Sequence, residues 1–144
     1  MWVWVGVAVV VIVIIVWAVT KFYQPKQQAE TLPSPVFASQ GQLVPQFPKD
    51  LILDSNAAVS DSYSVNYSSS TDQYTAEFDS SSSMASLYTS YKQYLPANGW
   101  TITNDMTRYT NSRGLYASNA SSDVAVGIVS QGDGARVTIT YLVK

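Results

Sequence analysis

Residues 80–100 read SSSSMASLYTSYKQYLPANGW, and the fold turns on how this stretch divides. Met84, Leu87, Tyr88, Tyr91 and Leu95 recur at helical spacing, which gathers them into a stripe about 100° wide on one side of a helix. Asp79 and the serines at 80–83 offer oxygen acceptors to the free N–H groups at the start of that helix. Pro96 ends regular helical bonding and Gly99 is a natural helix terminator, because glycine tolerates the left-handed backbone that closes a helix. A strand then opens with Trp100 and Ile102. Leu87, Tyr88, Tyr91, Leu95 and Trp100 are therefore expected to form the domain core.

Upstream, YSVNYSSSTDQYTAEF (63–78) carries two alternating runs. Val59, Tyr63, Val65 and Tyr67 form the first and Tyr74, Ala76 and Phe78 the second, with a Ser/Thr/Asp turn between them; this predicts a hairpin. Downstream, strands are expected at 114–118, 123–129 and 136–143. The last two form a hairpin around SQGDGA, whose Gly132-Asp133-Gly134 tip is a turn signal. The order is then β-β-α-β-β-β-β. A small α+β domain over 50–144 follows, a mainly antiparallel sheet with one helix packed on one face.

The junction SLYTSYKQYLPANGW, following a tyrosine-rich hairpin, resembles a small domain of uncharacterised single-pass surface proteins of bacteria, in which a helix of the form YxxYLxxxGW leads into a strand. Tyr88, Tyr91, Leu95, Gly99 and Trp100 carry the likeness, and core packing and a helix stop also explain all of them. The resemblance implies an extracytoplasmic module and brings no catalytic residues with it.

At the other end, MWVWVGVAVVVIVIIVWAV (1–19) is nineteen residues without a charge. Trp2 to Val19 as a helix covers about 27 Å, close to the hydrocarbon thickness of a bilayer. Valine and isoleucine lower helicity in water, but in lipid every backbone group must bond internally and helix is the single-segment solution. Trp2 and Trp4 at one end, with Trp17, Phe22 and Tyr23 at the other, fit the two aromatic belts, and Lys21 marks the return to water. A transmembrane helix over 1–23 is expected, with the lipid bilayer as its partner. A cleaved signal would want a basic n-region and a shorter apolar core. The rival is a pilin-like subunit whose hydrophobic helix packs with identical subunits in a filament. Gly6 and Ala8 permit close helix approach, yet they make no GxxxG pair, and Val5 stands where type IV pilins carry glutamate. Lys21 and Lys26 lie on the C-terminal side, which by the positive-inside rule would leave the domain in the cytoplasm. Its Ser/Thr/Asn/Tyr composition argues for the outside, and that placement is the expectation adopted. Residues 24–49 hold five of the six prolines and several glutamines, with no apolar period, and read as a linker. LPSP or VPQFP within it is alternatively a docking peptide.

The residue inventory narrows the chemistry. With no histidine and no cysteine, Ser-His-Asp and Cys-His nucleophiles, thiol redox chemistry and His- or Cys-ligated metals are excluded. Lys92 falls on the polar side of the helix, and Asp72, Glu77, Asp79, Asp105, Asp123 and Asp133 are dispersed over turns and solvent-facing positions. DSNAAVSD (54–61) fails as a calcium loop, because Val59 stands where glycine is needed and Val65 where glutamate is needed. No catalytic residue, cofactor or metal is expected. Nine acidic against five basic residues give 50–144 a net charge of −4, which disfavours nucleic acid. Nine tyrosines and eighteen serines share that region, the mixture that paratopes use for broad contact with adaptable hydrogen bonding. The expectation is a non-enzymatic, membrane-anchored surface protein making protein or envelope contacts; the alternative is the filament subunit.

Overall fold

The computed structural model describes residues 33–68 and 70–144. The expected membrane segment, with Trp2, Trp4, Gly6, Ala8, Trp17, Phe22 and Tyr23, lies outside them. Among the described residues no helix is long and apolar enough to cross a membrane.

The helix runs Met84–Ala97 (α1). Ser83 caps its start, its side-chain oxygen accepting from the N–H of Ser86 at 3.3 Å. Leu87, Tyr91 and Leu95, four residues apart, are buried on one face. At the far end Trp100 N–H donates to the carbonyl of Leu95 (3.0 Å) and Gly99 N–H to that of Pro96 (3.3 Å), with Gly99 at φ +81°. That is the Schellman arrangement: two otherwise free carbonyls are satisfied and the chain is turned directly into the next strand. Pro96 sits in the last turn, where its missing N–H removes only one bond.

The strands are β1 (Val36–Phe37), β2 (Ala58–Ser68), β3 (Thr71–Ser80), β4 (Thr101–Met106), β5 (Ser112–Ser118), β6 (Ser122–Gln131) and β7 (Gly134–Val143). They form one antiparallel sheet in the order β1-β2-β3-β7-β6-β5-β4. The order β-β-α-β-β-β-β holds, with the two-residue β1 added in front. From β3 the chain crosses one face as α1 to the far edge and returns strand by strand until β7 closes against β3. Phe78, Ala76 and Tyr74 then stand opposite Val137, Ile139 and Tyr141, and these with Val124, Val126, Ile128, Leu115 and Ala117 make the floor on which α1 packs. The edge strand β4 carries an irregularity at Thr103, and β2, which the two-residue β1 covers over only part of its length, carries two, at Ser60 and Tyr67, of the kind that blunts a sheet edge against further pairing.

Two expectations need correction. The linker read over 24–49 ends earlier, because the compact unit begins at Pro33. Val36 and Phe37 pair with Ser64 and Tyr63, and Val44 and Phe47 are each 4 % exposed, buried in the core with Leu51. Tyr91 Oη donates to the Leu51 carbonyl at 2.8 Å, Tyr74 Oη to Gln46 at 2.8 Å, and Val44 N–H to the Ser62 hydroxyl at 3.1 Å. The proline-rich stretch thus packs as irregular chain under the sheet, which leaves no period to read. The second correction concerns the core: Leu87, Tyr91 and Leu95 are in it, whereas Tyr88 and Trp100 are half-buried at its margin. Tyr88 reaches out to a carboxylate, and Trp100 lies edge-on to Tyr141 with ring centroids 6.2 Å apart.

Candidate functional site: the open face of the sheet

One face of the sheet lies under α1 and the 43–53 segment; the other carries no layer of this unit. Directly paired residues share a face, so the ladder spells out this open side row by row. One row runs Tyr63, Thr75, Thr140, Ala125, Tyr116, Asn104 from β2 to β4, and the next runs Asp61, Glu77, Thr138, Gly127, Gly114, Met106. On the other flank lies Val65, Gln73, Leu142, Asp123, Ser118, Thr101. At its centre the middle strands contribute Thr75, Thr140, Thr138, Ala125 and Gly127, flanked by Gln73, Leu142 and Asp123 on one side and Glu77 on the other. The sides contribute large side chains: Phe37 and Tyr63 with ring centroids 5.4 Å apart, and across the sheet Tyr116 and Met106. With strands about 4.8 Å apart, β2 and β5 stand about 19 Å from each other. The result is a shallow trough between two apolar ridges. Tyr116 is 45 % exposed and Phe37 59 %.

Several polar groups of this face are held in place. Gln73 accepts from Tyr67 Oη at 3.1 Å and donates to Thr75 Oγ1 at 3.2 Å. Asp123 pairs with Lys144 at 2.7 Å, and Thr103 donates to the Tyr116 carbonyl at 3.2 Å. At the opposite margin Arg136 grips Asp79 through two parallel bonds of 2.8 and 3.0 Å and stands 3.4 Å from Glu77. The guanidinium holds the Asp79 carboxyl below its ordinary range.

On the helix side, Tyr88, Lys92 and Asp105 form a second cluster. Tyr88 Oη lies 2.7 Å from both oxygens of Asp105, Lys92 Nζ lies 2.8 Å from one of them, and the ammonium sits 5.3 Å from the Tyr88 ring centre. Lys92 and then Tyr88 lower the Asp105 pKa, while Asp105 raises that of Lys92. The arrangement clamps α1 to the edge strand β4.

The remaining sequence candidates are tied up locally. Asp54 accepts from the N–H of Asn56 at 2.8 Å and from the Ser80 hydroxyl, so DSNAAVSD begins with an ordinary Asx turn. Asn66 bonds Asp72 at 2.6 Å. Asn119 closes the β5–β6 turn by accepting from the backbone of Ser121 and Ser122.

The sequence reading found Tyr63 and Val65 as alternating residues. It did not assign their face: by register they stand on the open side, Val65 buried there, while Ser62, 2 % exposed and bonded to the Thr75 carbonyl at 2.9 Å, faces the core. Tyr116 went unnoticed. Its signal is a lone aromatic at the outward position between buried Leu115 and Ala117. Compared with family models, curated proteins and solved structures, the chain shows no match to any of them.

Proposed function

We propose that this chain is a non-enzymatic, membrane-anchored surface protein: the apolar segment 1–19 holds it in the bilayer, and the domain from Pro33 presents the open face of its sheet to a partner in the envelope or outside it. The observation that carries this reading is the seven-stranded sheet covered on one side only among the described residues, with Tyr116, Met106, Val129 and Phe37 exposed on or beside the other side. Aromatic and methionine side chains are the ones enriched in contact surfaces, and this face offers contact area in place of a cleft. The charged clusters, one on this face and one on the helix side, support the same reading. Arg136 with Asp79, and Lys92 with Asp105, satisfy each other and hold elements together.

The test uses intact cells making the full chain. Added protease should release fragments of the domain while the cytosolic contents stay untouched, and the protein should sediment with membranes and leave them only in detergent. Replacing Val3 to Val16 with leucines should change neither result, because lipid asks for hydrophobicity and length alone. Recovery of the wild-type chain in sheared extracellular fibres, abolished by the leucine segment, would instead establish the filament subunit. Full protection from added protease would place the domain inside and end the surface reading.

A further inference from the structure

The open face has one place shaped for a ligand of defined size. Between the Tyr116 row and the Asp123 row lies a depression of about 440 Å³, bordered by Gln73, Thr103, Tyr116, Asp123, Thr140 and Leu142. We infer that it binds a run of neutral sugar rings within a polysaccharide. The inference rests on the binding-module reading and names the ligand class for it.

The first ground is shape. The depression runs across β3, β7, β6, β5 and β4, a span of about 19 Å at ordinary strand spacing. It is open and shallow, so it suits an extended chain lying along it better than an enclosed small molecule. The second is the surface itself. A pyranose ring has an apolar face of C–H groups and a rim of hydroxyls. The exposed Tyr116 ring and the aliphatic floor of Ala125 and Leu142 meet the first need. For the second, the hydroxyls of Tyr116, Ser118 and Thr140 make no hydrogen bond to another described residue, and they border a site whose Gln73 and Asp123 are already fixed by Tyr67, Thr75 and Lys144. Fixed acceptors and unused hydroxyls beside an apolar floor are the groups that orient a polyhydroxylated ligand at small entropic cost.

Charge selects against the other flat ligands. Asp123 and Lys144 neutralise each other 2.7 Å apart, and no other charged residue borders the depression. A phosphate, a nucleotide or a polyanionic chain would find no unpaired cation there, and a cationic peptide no unpaired acid. A ligand that is neutral, flat on one face and hydroxylated at its edge fits what is left.

The experiment uses the full chain in a detergent without sugar headgroups, titrated by calorimetry with hexamers of β-1,4-linked glucose and of β-1,4-linked N-acetylglucosamine, and with free glucose. At least one hexamer should bind with a Kd of about 1 mM or tighter, and glucose at least tenfold more weakly. Salt should leave that affinity unchanged, as expected where no net charge is engaged. Tyr116→Ala should lower affinity at least tenfold and Tyr116→Trp should preserve it, both with unaltered thermal unfolding because the side chain is exposed. Ala125→Arg, which would fill the floor, should abolish binding. Absence of binding by both hexamers, binding that survives Tyr116→Ala, or a steep loss with salt would overturn the inference. These outcomes are independent of the protease and fractionation results, which judge the surface reading by itself.

Discussion

Gly134 shows how narrowly single residues are constrained where β7 leaves its turn. A Cβ built there would run into the carbonyl oxygen of Ser80, a backbone atom that cannot step aside. Gly134→Ala should therefore destabilise the domain by about 1 to 3 kcal/mol, read as a lower urea midpoint. Gly132 in the same turn has φ +57° and open space around it, so alanine there meets backbone strain alone, about 1 kcal/mol. Equal effects at the two positions would show that the close approach to Ser80 is not real. Leu95, fully buried, should lose about 2 to 4 kcal/mol on truncation to alanine. An unchanged midpoint would mean the helix stripe is misread. At this scale legibility followed spacing: Leu87, Tyr91 and Leu95 recur every four residues and were readable. Tyr88 and Trp100 were not, because a large amphipathic ring at the margin of a core obeys the same period as one inside it. Both turned out to be set by partners remote in sequence, Asp105 and Tyr141.

Among the elements, α1 is fixed to the sheet by packing beneath it and by the Tyr88–Lys92–Asp105 clamp at its side. The clamp gives stability a pH dependence whose sign follows from the carboxylate. Asp105 has its pKa lowered in the folded chain, first by Lys92 and then by Tyr88, so folding favours its ionised form. That contribution is present above the unfolded carboxylate value of about 4 and is lost as pH falls through the lower folded value. Asp79, held down by Arg136, behaves alike. Both acids are substantially exposed, so the effect is small and screened by salt. Asp105→Asn should lower the urea midpoint at pH 7 and converge on the wild type as the pH approaches 2; a gap of constant size across that range would remove Asp105 ionisation as its cause. The elements themselves were legible wherever a period existed. Six strands and the helix follow from alternation, four-residue spacing and turn residues. The face each strand turns to the core was not, since β2 turns Ser62 to the core and Tyr63 and Val65 to the opposite side, where Val65 is nevertheless buried. A serine satisfied by the backbone of Thr75 and Val44 is as buriable as a valine, and the hydrophobic pattern is blind to it.

For the molecule as a whole the informative failure is the proline-rich stretch, because prolines signal a break in regular structure and carry no information on burial. Val44, Phe47 and Leu51 sit in the core at irregular spacing, and their stretch covers sheet that α1 does not reach. The open face was illegible for a related reason: a trough centred on Thr, Ala and Gly, with Gln73, Asp123 and Leu142 along it, exists only once five strands are in register. The boundary at Pro33 has a direct consequence. A chain expressed from Pro33 to Lys144 should unfold cooperatively in urea, with Trp100, its only tryptophan, reporting a partly shielded ring beside Tyr141. A chain expressed from Asp50 loses Val36 and Phe37 from the sheet edge and Val44 and Phe47 from the core. It also leaves the Ser62 hydroxyl without the N–H of Val44 and Tyr74 without Gln46. Truncating Phe47 alone to alanine should cost about 3 to 5 kcal/mol. Since small domains are stable by about 5 to 15 kcal/mol in all, the chain from Asp50 should show a broadened or absent transition and bind hydrophobic dye. If the two chains unfold at the same midpoint with the same denaturant slope, then 33–49 is dispensable and the tether does extend to Lys49.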